Sequence, residues 1–375
     1  MSERKAFKEY FDAALVRQIE AWVADAERRF ARTRFLQLAS YGLDGLEMMA
    51  RVGQIADALY AALPGPTAVN MRVLTASLPP KAPSGEGIMD HGYALWPYGE
   101  FIARYGLDDV DASFACMLEL TQRFTSEFAV RPFLARDPDG MLDRLASLCA
   151  HESEHVRRWV SEGTRTRLPW GKRVPALEAR LDRRLALLAK LRHDPSRYVQ
   201  RSVANHLGDV LKDDRARGLE TLEAWMAVRH PSSEWIVRHA ARHLLKQGDT
   251  RVLALFGQAP SDTLRTEHFE VSPGHVAIGG VVVLRVRVRN DGHVPCSVRL
   301  DYRLESPGAG TRRNVTTFRM PDAMLAPGEA STIEKAHVFA PCRVRKLRPG
   351  PHSFVLQANG QEAGRVEVTV CGTEP

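Results

Sequence analysis

"HESEHVRRWVSEGTRTRLPWG", residues 151–171, begins as an H-E-x-x-H pattern and ends as a basic run containing two tryptophans. A zinc hydrolase needs both histidines on one helix face, four residues apart, with the glutamate beside them as base. Whether His151 and His155 share a helix is decided by internal repetition. Ser153–Arg158 (SEHVRR), Ser196–Arg201 (SRYVQR) and Ser233–Arg238 (SEWIVR) share one pattern: Ser, a charged residue, a ring, Val or Ile, a variable residue, Arg. The copies are 43 and 37 residues apart. Each follows an apolar helical stretch, LDRLASLCA, LALLAKL or GLETLEAWMAV, and a short turn bearing His or Pro. Ser153, Ser196 and Ser233 are the expected N-caps of the second helix in each copy. His151 then precedes its helix and the zinc geometry is lost. His155 takes the place of Tyr198 and Trp235 and is expected to be a packing ring.

Paired helices at this spacing predict a HEAT-like α-solenoid. Helical periodicity runs from Ala6 to Leu63 and again from about Tyr98 to Phe256; LPPKAPSGEGI (78–88), rich in Pro and Gly, is expected to be a surface loop. Beyond residue 262 the texture changes. In VLRVRVR, Leu284, Val286 and Val288 alternate with Arg285, Arg287 and Arg289, the pattern of a half-buried antiparallel strand. Asn359-Gly360 is a hairpin-turn signal. The chain therefore reads as mainly α, with a solenoid over 1–262 followed by a small all-β, immunoglobulin-like sandwich over 263–375.

Fifty-two Lys and Arg against 45 Asp and Glu give a formal charge of +7, which favours a polyanionic partner. Five scattered cysteines without a C-x-x-C pair read as reduced thiols. No run approaches the ~18 apolar residues of a membrane span. A cytoplasmic protein, monomeric and without an obligate protein partner, is the expectation.

On the helix that follows Ser153, Arg158 and Glu162 lie four apart, as do Asn205 and Asp209 on the next copy. Stacked repeats align Arg158 with Arg201 and Glu162 with Asn205, so Glu162, Asn205 and Asp209 can converge on one groove. On spacing alone, an ordinary surface ion pair between Arg158 and Glu162 is the better explanation. Yet Arg157, Arg158, Arg165, Arg167, Lys172 and Arg173 surround Glu162 as the lone acid. A carboxylate in a phosphate-seeking surface costs DNA affinity and needs another purpose. Trp159 and Trp170 flank these charges and offer faces to a base or deoxyribose, although Trp159 reads equally as a core ring.

"HVRRWVSEGTRTRLPWG", "QRSVANHLGDVLKD" and "LTQRFTSEFAVRPFL" (120–134) resemble the signatures of the AlkC-type DNA alkylation repair glycosylases, HEAT-like proteins of bacteria. The resemblance spans roughly residues 1–260, and some family members carry an immunoglobulin-like C-terminal domain. Gly208 stands where a polar residue is more usual. The resemblance implies hydrolysis of the N-glycosidic bond of cationic bases, chiefly N3-methyladenine and N3-methylcytosine, in duplex DNA. It also implies recognition without extruding the lesion, with no cofactor or metal. Its implied catalytic residues are Glu162 and Asp209, supported by Glu127. Trp170 would pack against the nucleotide and Arg158, Arg165 and Arg167 would clamp phosphates, with Trp159, Lys172, Arg201 and Asn205 completing the DNA-binding set. The basic Arg285-Arg287-Arg289 face and CRVRKLR (342–348) suggest that the sheet also touches the duplex. The rival function is a non-catalytic HEAT scaffold that binds nucleic acid or protein.

Overall fold

The computed structural model describes residues 6–81, 92–308, 312–340 and 347–372. Residues 82–88 of the expected loop and 342–346 of CRVRKLR lie outside the described residues. The helices are α1 Ala13–Ala26, α2 Arg32–Ser40, α3 Met48–Ala62, α4 Thr67–Ala76, α5 Trp96–Tyr105, α6 Val110–Leu120, α7 Arg131–Arg136, α8 Pro138–Ala146, α9 Glu154–Gly163, α10 Pro175–Glu178, α11 Leu181–Leu191, α12 Arg197–Asp213, α13 Arg215–Ala227, α14 Pro231–Ala240, α15 Arg242–Gln247 and α16 Thr250–Ala254. The chain divides into Met1–Ala240 and Ala241–Pro375. The helices α15 and α16 group with the second unit, whose first strand starts at Leu264, beside the expected boundary at 262. Periodicity reveals a helix but not the core it joins: at Gly248, in a left-handed turn (φ 76°), a Cβ would come within 2.9 Å of Gly360 beside the sheet.

In the first unit, the repeats stack as expected: α9 packs on α12 and α12 on α14. The apolar positions Val156, Trp159 and Val160 of α9, and Val199, Val203, Leu207 and Val210 of α12, recur at helical spacing and are fully buried. At Gly208 a Cβ would lie 3.3 Å from the Ala240 carbonyl, so the missing side chain lets α12 approach α14 closely.

The three expected caps behave differently. Ser196 accepts the Tyr198 N–H at 3.2 Å and donates to the Glu154 carboxylate. Ser153 sits at the N-cap of α9 without a side-chain cap bond; His151 Nδ1 accepts the Ser153 N–H instead, at 3.0 Å. Ser233 is no N-cap, because α14 starts two residues earlier at Pro231, whose fixed φ suits a first turn. Since α9 starts at Glu154, His151 lies in the turn before it, and the zinc-hydrolase geometry is absent. His155 is buried, edge-on to Tyr198 at 5.6 Å, as a packing ring. Ser196→Ala is expected to cost about 1 kcal/mol in thermal denaturation; an unchanged midpoint would show that the cap contributes nothing.

The second unit holds strands β1 Leu264–Ser272, β2 His275–Ala277, β3 Val281–Asn290, β4 Cys296–Val298, β5 Leu300–Pro307, β6 Arg313–Arg319, β7 Ala323–Leu325, β8 Ala330–Val338, β9 Gly350–Ala358 and β10 Gln361–Cys371. They form sheets ordered β1-β3-β8 and β2-β10-β9-β5-β6, with a β4-β7 ribbon. Leu284, Val286 and Val288 are buried in the shared core, as the alternation predicts. Asn359 and Gly360 have φ of 45° and 82° and join β9 to β10 as the two-residue hairpin.

The basic face of β3 is matched by acids. Arg285 pairs with Glu270 and Glu334, Arg287 with Glu267, and Arg289 with Asp291. Carboxylates on β1 and β8, with Asp291 just past the end of β3, thus pair with every arginine of the row. No described helix is long and apolar enough to cross a membrane.

Candidate active site

The helix α9 and the loop after it bring Arg158, Glu162 and Arg165 against α12, and the segment before α7 brings Thr125 and Glu127. Three carboxylates, Glu127, Glu162 and Asp209, are buried to 7, 6 and 3% residual exposure. Two guanidiniums bridge them. Arg158 Nη1 lies 2.5 Å from Glu127 Oε2 and donates to Thr125 Oγ1 at 3.1 Å, while its Nη2 is 3.9 Å from Glu162 Oε1. Arg165 donates Nη1–H to Glu162 Oε1 at 2.5 Å, and its Nε and Nη2 reach Asp209 Oδ2 and Oδ1 at 2.7 and 3.3 Å. Ser202 Oγ donates to Glu162 Oε2 at 2.6 Å, and Thr125 Oγ1 to Glu127 Oε2 at 2.6 Å.

The same burial sends the carboxyls different ways. Burial pushes Glu127 above its ordinary pKa despite Arg158. At Glu162 burial acts upward too, but Arg158, Arg165 and the Ser202 bond together overcome it and hold the carboxyl below its ordinary value. Asp209 is raised by burial, which outweighs its bonds to Arg165. The cluster therefore pairs a firmly ionised Glu162 with a more basic Asp209.

Beneath it lies His206, fully buried and driven well below its ordinary pKa by burial and then by Arg184. It is neutral at pH 7. Its Nδ1 contacts the Ser161 carbonyl at 3.0 Å and its Nε2 the Arg184 guanidinium at 3.2 Å, joining α9, α11 and α12 under the carboxylates.

Two expected phosphate clamps are corrected by this geometry. Arg158 and Arg165 keep only 15 and 9% of their side-chain surface and are occupied by carboxylates, so neither reaches out to a phosphate. Trp159 is also corrected: it is fully buried against Phe114, with ring centroids 5.4 Å apart, and offers no face to DNA. Arg167 is part-exposed and held by Asp213 at 2.6 Å. Asn205 is half-buried, 3.3 Å from His239 Nε2. Arg201 and Lys172 are exposed, and Trp170 is 68% exposed on its loop, as expected. Thr125, Ser202, Asp213 and His206 escaped the sequence reading. Asp213 had a signal, lying one turn beyond Asp209 on the same face.

Beside Trp170 opens a cleft of about 540 Å³, whose wall includes Phe128, Arg131, Lys172 and Arg173 but none of the three carboxylates. The carboxylates lie instead between α9, α12 and the segment before α7, joined by Arg158 and Arg165.

A model of the YhaZ C-terminal Ig-like domain matches residues 265–372. YhaZ of Bacillus subtilis (strain 168) is 31% identical over 365 residues, covering 97% of this chain and 99% of that protein. The structure of Pseudomonas fluorescens alkylpurine DNA glycosylase AlkC, bound to DNA containing an abasic site analog, matches with a TM-score of 0.87 at 29% identity, over 98% of this chain and all of that one. At this identity and coverage the chain belongs to the family of YhaZ, and its fold is of the AlkC type.

Proposed function

We propose that the protein is a DNA N-glycosylase that releases cationic N3-methylated bases, N3-methyladenine and N3-methylcytosine, from duplex DNA in the cytoplasm, acting as a monomer. The observation that carries this reading is the buried cluster of three carboxylates on stacked helices, one held ionised and one made more basic. The likeness to AlkC, an alkylpurine DNA glycosylase, supports alkylated purines in DNA as substrates.

An N3-methylated base carries a positive charge and leaves as a neutral molecule. The C1′–N bond breaks with its electron pair going to the base, leaving an oxocarbenium-like sugar. Ionised Glu162 stabilises that charge. Asp209 accepts a proton from the water whose oxygen bonds C1′, and the products are free base, abasic site and one proton. Each Asp209 oxygen accepts a bond from Arg165 and retains further acceptor capacity for the water. Glu127 supports the cluster by holding Arg158. Arg167, Lys172, Arg201 and Asn205 face the strand, and Trp170 packs against a nucleotide. Since the cleft beside Trp170 contains none of the carboxylates, the lesion reacts in the groove without being flipped into a pocket, unlike the usual practice of enzymes that process bases.

Chromatography of bases freed from methylated duplex DNA tests this. Release of N3-methyladenine and N3-methylcytosine, with neutral unmodified bases retained, is the expected pattern. Duplex binding without release of any base would replace the enzyme by a scaffold.

A further inference from the structure

Ser202, His206 and Asp209 stand four and then three residues apart on α12, along one stripe of the helix. All three are buried, and all three engage the end of α9 or the loop after it. Ser202 Oγ meets Glu162 Oε2 at 2.6 Å, His206 Nδ1 the Ser161 carbonyl at 3.0 Å, and Asp209 the Arg165 guanidinium. Ser161 adds a second contact, its fully buried Oγ lying 3.0 Å from Ser202 Oγ. A serine hydroxyl has one proton, and an ionised carboxylate only accepts. The Ser202 proton therefore goes to Glu162, and the Ser161 hydroxyl donates to Ser202 in turn. In such a chain each bond polarises the next.

The need for this relay follows from how Arg165 is divided. It spends Nε and Nη2 on Asp209 and only Nη1 on Glu162 Oε1, so it holds Glu162 by one oxygen. Arg158 also approaches Oε1, at 3.9 Å, whereas Oε2 has Ser202 as its donor. A buried carboxylate oxygen without a donor is costly, and the group would be free to turn about its single anchor. Serine is otherwise a poor choice inside a helix, where the smaller alanine has the better propensity. We propose that Ser202, backed by Ser161, is the positioning residue of Glu162, fixing the plane of its carboxylate while Arg165 is shared with Asp209. This role in catalysis rests on the glycosylase reading, whereas the hold on Glu162 does not. The charged and titratable groups around Glu162 are Arg158 on its own helix, Arg165 on the following loop, Glu127 before α7, and Tyr198, Asp209 and neutral His206 on α12, with Arg184 of α11 behind His206. Burial pushes the Glu162 carboxyl up, and Arg158, Arg165 and the Ser202 bond hold it down. Removing the hydroxyl leaves both guanidiniums in place, so Glu162 stays charged at neutral pH but takes up its proton at a higher pH than in the wild type.

The test follows the Glu162 carboxyl by NMR in the full chain, with glutamate isotope-labelled at the side-chain carboxyl and the signal identified by its absence from Glu162→Gln. In Ser202→Ala the titration midpoint is expected to rise by about one to two pH units, the worth of a hydrogen bond to a charged group. Ser161→Ala keeps the direct bond and is expected to move the midpoint the same way by less. Single-turnover release of N3-methyladenine by Ser202→Ala is expected to fall roughly 10-fold at neutral pH, through lost orientation, and further as acid protonates Glu162. Both substitutions shorten a side chain within a helix, so the variants should keep the wild-type circular dichroism spectrum. An unmoved midpoint in Ser202→Ala, or release at the wild-type rate at every pH, overturns the proposal. A moved midpoint in a protein whose wild type releases no methylated base would uphold the hold on Glu162 and remove the glycosylase reading.

Discussion

Asp209→Asn slows release of N3-methyladenine by roughly 100- to 1,000-fold, with duplex affinity held or raised. The amide keeps the size of the side chain but cannot take the proton of the attacking water. Affinity does not fall, because the change removes a negative charge lying beneath a polyanion. A pH signature accompanies the loss. Burial raises the Asp209 carboxyl above its ordinary value, so the ionised form disappears as pH falls through that raised value. In the wild type, single-turnover release should decline on the acid side above the usual aspartate range, and Asp209→Asn should lack that limb. A rate unaffected by Asp209→Asn would move the base elsewhere.

The second large effect is on stability. Arg165→Leu leaves Glu162 and Asp209 buried without their shared guanidinium, and breaking a buried pair in this way costs about 3–5 kcal/mol. The penalty carries a sign in pH. With Arg165 gone, both carboxyls titrate higher in the folded state than in the unfolded one, so the cost is full above those values and shrinks as acid protonates them. Melting of the variant is expected to lie furthest below the wild type near neutral pH and to draw closer at mildly acidic pH. A gap that stays constant with pH would mean that Arg165 contributes by packing alone.

Much of the architecture was legible in the sequence, because periodicity and turn chemistry are local. The Leu284-Val286-Val288 alternation and the Asn359-Gly360 turn carry their own structural instructions, and both elements form as expected. The repeat located α9, α12 and α14, and with α9 it removed the zinc reading. It was a poorer guide to Ser233, where a proline fixed the helix start two residues sooner.

The carboxylates of the buried cluster were legible in the sequence, but its wiring was not. The sequence pointed to Glu162 and Asp209 converging, and the stacked helices bring both to Arg165. It could not tell that Arg165, in a run of six cations, turns inward to a carboxylate 44 residues away. Nor could it tell that the β3 arginines face acids on two neighbouring strands. Charge along a chain is visible in sequence, whereas charge compensation depends on tertiary pairing. That difference separates Arg158 and Arg165, expected as phosphate clamps, from Lys172 and Arg173, which form no ion pair among the described residues.

The most direct test of the central claim is the amount of free N3-methyladenine released per enzyme in a single turnover on alkylated duplex, for the wild type and for Glu162→Gln/Asp209→Asn, with duplex affinity measured alongside. Full release by the wild type is expected, with release no faster than the spontaneous rate by the double variant, at undiminished affinity. Release by the double variant at the wild-type rate would show that the buried carboxylates are structural and that the chemistry lies elsewhere.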